Sequence, residues 1–142
     1  MSITESNVAP IVIKQTSTKV GNLYFLNHLV VAEFNEGAHL DLESFRAPLK
    51  DIIRHFGSLQ PFGLIANRVN SYSISLLDMP EVTASLPNLA AYGIVTHNEA
   101  GRMNAIIETK FCESTDFCFD NLYEGLDTVY RRVKNKIQIA LN

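Results

Sequence analysis

Two short runs constrain this chain more than anything else in it. Residues 61–66 (PFGLIA) and 89–95 (LAAYGIV) carry almost no polar side chain. Each is too short for an ordinary helix, and turn-forming Gly, Pro, Asn or Ser lie close by. A strand without a polar face has to be covered on both sides. That is the position of a central strand in a sheet with helices above and below it.

The elements around these runs fit the same picture. Residues 22–26 and 29–34 are rich in Val, Leu, Tyr and Phe, and only Asn27 and His28 separate them. Asn tolerates positive φ, so a two-residue hairpin turn is expected there. With the apolar and β-branched stretch 11–18, the chain opens on two or three antiparallel strands. Asp41 stands where an N-cap belongs, and Leu42, Phe45, Leu49, Ile52, Ile53 and Phe56 then share one helical face. Gly57 follows as the C-terminal stop. Pro48 has no amide to donate, so a kinked helix over 42–56, or a start delayed to Ser44, is predicted. A short helix interrupted by Pro80 is expected within 75–85.

After the second apolar run, Thr96 and Glu99 have the spacing of a capping box. They announce a helix to about Lys110 with Ala100, Met103, Ile106 and Ile107 inward. Residues 117–119 read as a very short strand. Asp120 or Asn121 then caps a last helix whose buried stripe is Leu122, Leu126, Val129, Tyr130, Val133, Ile137 and Leu141. Arg131, Arg132, Lys134 and Lys136 fall late in it, where cations suit the negative end of the helix dipole.

The expected fold class is therefore α/β. It is one domain over 11–142 behind a loose tail at 1–10, with a mixed sheet of about five strands, an N-terminal antiparallel hairpin and about four covering helices. The predicted core is Phe45, Leu49, Ile52, Leu64, Ile65, Ile94, Val95, Ile106, Leu126, Val129 and Val133.

Composition narrows the function classes. The 142 residues are 46% apolar and 19% charged, enough apolar content for a sizeable core. Twelve Lys and Arg against 15 Asp and Glu give a net charge of −3. With no dense basic block, nucleic acid is a poor partner. No apolar run reaches the ~20 residues of a membrane span, and the first ten residues lack a secretory apolar region. Two cysteines in such a chain point to reduced thiols and a cytoplasmic setting.

Catalytic and metal signatures are missing from the sequence. There is no G-x-S-x-G, phosphate loop or G-x-G-x-x-G. His28, His39, His55 and His97 have no ligand spacing, so no metal and no cofactor is expected. Cys112 and Cys118 lack the C-x-x-C spacing, and at least one should be a buried, inert thiol. Asp41 with Glu43, and Glu33 with Glu36, read as cap and turn carboxylates.

The element order over roughly 20–134 resembles the STAS-like group, the relatives of bacterial anti-sigma-factor antagonists, and in particular small uncharacterised bacterial proteins of that kind. The patterns that carry the resemblance are LVVAEFNEG, PFGLIANR followed by NSYS, AAYGIVTHNEAGR and FCFDNLYEGLDTVYRRV. The resemblance implies a non-catalytic regulatory or protein-interaction module. Regulatory members of the group carry a phosphorylatable Ser or Thr after the central strand. The matching stretch here, Asn67 to Ser73, lacks the group's Asp-Ser-(Ser/Thr)-Gly-Leu run, and only Ser71 and Ser73 stand in about the right place. Some relatives in the group resemble lipid-binding carrier domains in overall fold, which keeps a small apolar or lipid-like ligand as the alternative, with an enzyme third.

Two polar clusters follow the two apolar strands: Asn67, Arg68, Ser71 and Ser73 after the first, and Thr96, His97, Asn98 and Arg102 after the second. In open α/β sheets ligands sit beyond the carboxyl ends of parallel strands. If these strands are neighbours, the clusters share one crevice, where Arg68 and Arg102 could hold an anion or an acidic side chain of a partner. Ordinary capping and turn chemistry, or an Arg68–Glu99 pair, accounts for the same residues. A protein partner or a homodimer fits the interaction reading.

Overall fold

Asn27 and His28 turn the chain between β2 (Gly21–Leu26) and β3 (Leu29–Phe34), which pair antiparallel from Leu26 with Leu29 to Gly21 with Phe34. The positive φ that the turn requires, 65°, falls on His28 and not on Asn27. On the other side of β2 lies β1 (Lys14–Thr18), a polar edge strand, so the antiparallel part has three strands. Ile11 and Ile13, read as part of an apolar run, are 60% and 64% exposed.

The remaining strands are parallel. β5 (Phe62–Asn67) lies between β3 and β7 (Leu89–Val95), and β8 (Thr115–Phe119) closes the sheet. The order is β1-β2-β3-β5-β7-β8, six strands against about five expected. Two further short strands, β4 (His39–Leu40) and β6 (Ser73–Ile74), form a separate parallel pair that sequence periodicity does not reveal. The computed structural model describes residues 1–109 and 115–141. Cys112, the expected end of the third helix at Lys110 and the Leu141 side chain lie outside what it describes.

Helices cover both faces. α1 (Leu42–Phe56) is capped as its sequence announces: the Ser44 amide donates to Asp41 Oδ1 at 2.9 Å, and the Asp41 amide donates to Ser44 Oγ at 2.8 Å. Pro48 lies inside this helix, buried, and the helix continues past it to Gly57, whose amide donates to the Ile53 carbonyl. α2 (Met79–Ala84) begins beside Pro80 instead of being interrupted by it, because a first-turn amide needs no helical partner. These helices and the sheet bury Leu23, Phe25, Val30, Phe34, Ile52 and Phe62.

The opposite face is packed by α4 (Leu122–Leu141). Its first-turn amides at Tyr123 and Glu124 donate to Asn121 Oδ1, which makes Asn121 the cap. Its stripe Leu122, Leu126, Val129 and Val133 is buried against Leu29, Val31, Ile65 and Val95, as the spacing predicts. The helix lies close to the sheet because Gly63 and Gly93 have no side chain. A Cβ on Gly63 would run into Val129 and Leu29. Arg131 to Lys136 are in the middle of α4 and not in its last turn. Arg131 pairs with Asp127 at 3.1 Å on the helix surface.

Two expectations fail here. Residues 1–10 are no loose tail: they form two 3-10 turns, and Ile3 is fully buried with the α4-side cluster. The third helix, α3 (Glu99–Thr109), shows its apolar stripe to solvent. Met103, Ile106 and Ile107 are 59%, 47% and 48% exposed, and it is Ala105 that is buried, against Ala66 and Ile94. Ile106 therefore leaves the predicted core. Phe45 and Leu64 pack at its margin, and the other eight are buried.

Candidate functional site

Strand alternation puts two polar side chains on the α4 face of the sheet. Glu33 follows Leu29 and Val31 along β3, and Asn67 follows Gly63 and Ile65 along β5. They lie one residue beyond the paired Ala32 and Ala66, at the carboxyl end of both strands. Glu33 is 7% exposed and Asn67 is fully buried. Buried polar groups need partners, and these have them. Asn67 Nδ2 donates to Glu33 Oε2 at 2.8 Å and to the Met1 carbonyl at 3.0 Å. Ser2 Oγ donates to Glu33 Oε1 at 2.6 Å, and the Ile3 amide donates to Oε2 at 2.8 Å.

His97 completes the network from the end of β7. With both Asn67 amide hydrogens committed, Asn67 Oδ1 is left to accept, so His97 Nε2 carries the proton across their 2.8 Å contact. His97 Nδ1 then accepts from the Met1 ammonium at 3.3 Å. Partial burial of the ring, and next the neighbouring ammonium, hold the His97 pKa below its ordinary value. The Glu33 charge opposes them. Burial, and then the same carboxylate, push the Tyr24 hydroxyl pKa upward.

A polar notch lies next to this network, between the loop after β5 and the start of α3. Asn70, Ser71, Tyr72, Asn98, Gly101 and Asn104 line it, with Arg68 at its base. The two sequence clusters do converge: the Arg68 amide donates to the Val95 carbonyl, and the Asn67 and His97 side chains touch. They do not converge as an anion site with two open cations. Arg68 is 7% exposed, stacks on the Tyr72 ring at 4.3 Å and donates to the Tyr72 carbonyl at 3.2 Å. Its role is to brace the loop, with Tyr72 where a Glu99 pair was the alternative. Arg102 points away from the notch, to Asp120 at 3.5 Å.

The other predicted residues fall into local roles. Thr96 is 2% exposed and gives its amide to the Phe119 carbonyl, so it does not cap α3. Asn98 does, accepting from the Gly101 amide at 2.7 Å. The Ser71 amide donates to Glu36, and Ser73 Oγ shares a 2.7 Å hydrogen bond with His39 Nδ1 across the β4–β6 pair. Both serines are exposed. Cys118 is half-buried against Ile94 and Ala105.

Glu33, read with Glu36 as a turn carboxylate, is instead a buried residue inside β3, and Tyr72, Asn70 and Asn104 were missed. Glu33 had a signal: one carboxylate at an inward position of an otherwise apolar strand. Asn70 had less of one, since its amide holds the Phe34 carbonyl at 2.9 Å, a contact with no local pattern. Among the described residues no three His, Cys, Asp or Glu side chains gather as metal ligands would, and no helix is long and apolar enough to cross a membrane.

A small apolar cavity of about 60 Å³ lies between α1, α2 and the sheet, lined by Phe34, Leu49, Met79 and Tyr92 among others. A cavity of about 150 Å³ is what admits a benzene-sized molecule, so this one is far too small for a lipid chain.

No protein-family model matches the sequence, and no curated protein sequence matches it either. Among solved structures, the chain is similar to the crystal structure of an uncharacterised protein of the DUF3478 family from Shewanella loihica, which has a SpoIIAA-like, that is STAS-like, fold. The likeness covers 82% of this chain and 90% of that one at 12% identity, with a TM-score of 0.47. At that level it carries no information about what this chain binds.

Proposed function

We propose that the protein is a non-catalytic interaction module, which engages a protein partner through the outer face of α3 and the polar notch beside it. One observation carries this reading: α3 turns Met103, Ile106 and Ile107 to solvent, and among its described side chains only the small Ala105 is buried. An apolar stripe rimmed by Asn98, Asn104 and Ser71 has the make-up of an interface, an apolar centre with a polar border. No side chain in the notch pairs a nucleophile with a base, which supports binding over chemistry. The cavity between α1, α2 and the sheet is too small to carry a lipid-like ligand.

The test is site-specific photo-crosslinking in the source cells. A photoreactive residue at position 103 should give one discrete adduct, and Ile107→Lys should abolish it. The same residue at position 46, on exposed α1, should give none. Equal adducts at both positions would contradict the reading.

A further inference from the structure

The first residues of the chain occupy a socket that is built like a binding site. Its floor is the α4 face at the carboxyl ends of β3 and β5. Its polar wall is Glu33 and Asn67, both more than nine-tenths buried. Its apolar part is the cluster of Tyr24, Val31, Ile65 and Leu122 that Ile3 joins. Among the described residues no cation pairs with Glu33 in a salt bridge; its charge is met by hydrogen-bond donors, two of which come from Ser2 and Ile3. Asn67 directs a donor at the Met1 carbonyl. The segment that fills the socket is only two 3-10 turns, with no strand pairing to the sheet. Beyond Ile3 it meets the fold through the buried Ser6, through Val8, half-buried against the same cluster, and through the Asn7 amide, which donates to the Tyr123 hydroxyl at 3.0 Å.

We infer that this socket is a peptide-binding site, closed in cis by residues 1–6. It takes from a protein partner a segment in which a hydroxyl residue precedes a buried aliphatic one. The seated segment defines the chemistry. A hydroxyl and a backbone amide donate to the two carboxylate oxygens of Glu33, a carbonyl accepts from Asn67, and a branched aliphatic side chain fills the apolar hole. A ligand carrying its own carboxylate at that point would be repelled by Glu33.

Mass action favours a distinct partner over a second copy. A tethered segment acts at an effective concentration on the order of millimolar. A second copy offers the identical segment at its far lower bulk concentration, so it loses that competition. A partner at micromolar levels displaces the tether only if its segment fits about 1,000-fold better. The site is distinct from the α3 face, so either assignment can fail alone.

Two measurements on the full chain test the proposal. Native-state hydrogen exchange on the unaltered protein should show the Ile3 amide opening at least about 100-fold more often than the Val31 amide beneath it. Exchange of Ile3 only at the rate of Val31 would make residues 1–6 an integral part of the core and overturn the proposal. The second measurement uses Ile3→Asp, which weakens the tether. A synthetic peptide of residues 1–8 should bind this variant saturably, and adding Glu33→Gln should weaken binding about tenfold or more. No binding to a variant shown folded by near-ultraviolet circular dichroism would overturn the proposal. If Ile3→Asp does not fold, Ile3→Ala carries the same titration. A concentration-dependent dimer of the unaltered protein that Ile3→Ala abolishes would overturn the partner and assign the socket to a second copy.

Discussion

The two faces of the sheet solve the same packing problem in opposite ways. On the α1–α2 face large side chains fill the space: Phe56 stacks on Phe62 with ring centroids 4.5 Å apart, and Phe34 meets Phe45 and Tyr72 edge-on. Packing there is incomplete, and a small cavity remains. On the α4 face the spacing is set by what is absent. Gly63 and Gly93 let Val129 approach the strands, and no room is left for another carbon. Adjacent residues of one strand, Phe62 and Gly63, therefore make opposite demands. One face is intolerant of lost volume and the other of added volume.

That contrast can be broken by pairs of variants read in urea denaturation. Phe62→Ala removes a fully buried ring and should cost about 3–5 kcal/mol. Gly63→Ala adds one carbon against Val129 and Leu29 and should cost about 1–3 kcal/mol. Ala32→Val adds more volume, but towards the cavity, and should change stability by less than about 1 kcal/mol. If Ala32→Val proves as damaging as Gly63→Ala, the difference between the faces is not one of spare volume.

The faces also differ in how acid should act on them. His55 lies tilted on Phe25 and edge-on to Phe56 on the α1 side, and burial, then Lys14, hold its pKa low. His97 is held low at the edge of the α4 side. A histidine with a depressed folded pKa takes up its proton more readily when unfolded. Stability from such a group is complete above the unfolded value of about 6.5 and declines as pH falls from there towards the folded pKa. Melting temperature should therefore be level above about pH 7 and fall as pH drops below about 6.5. His97→Gln should remove part of that fall, and His55→Phe another part. A slope untouched by both would place the acid sensitivity elsewhere.

How far these features were legible depends on how local their causes are. The Asp41 cap, the stripe of α4 and the central strands could be read because a cap, a 3.6-residue period and a short apolar run are local patterns. The inward position of Glu33 was legible from strand alternation, but its partners were not: Ser2 and Ile3 supply donors from about thirty positions away, and by themselves those residues show no periodicity. The stripe Met103, Ile106 and Ile107 was recognised as a helical face but placed on the wrong side. Periodicity identifies a stripe without saying what it faces, and among the described side chains of α3 it is Ala105 that is buried against the sheet. The convergence of the two polar clusters followed from neighbouring parallel strands. The way Arg68 folds onto Tyr72 follows from contacts made only in the folded loop.

The outward face of α3 is the claim on which the functional account turns, and it can be tested before any partner is known. Met103→Asp with Ile107→Lys puts two charges on the stripe. If the stripe faces solvent, the urea midpoint and slope should match the unaltered protein, with a change in stability within about 0.5 kcal/mol. A loss above about 2 kcal/mol would mean that these side chains are core, as their spacing first suggested, and the proposed partner surface would not exist.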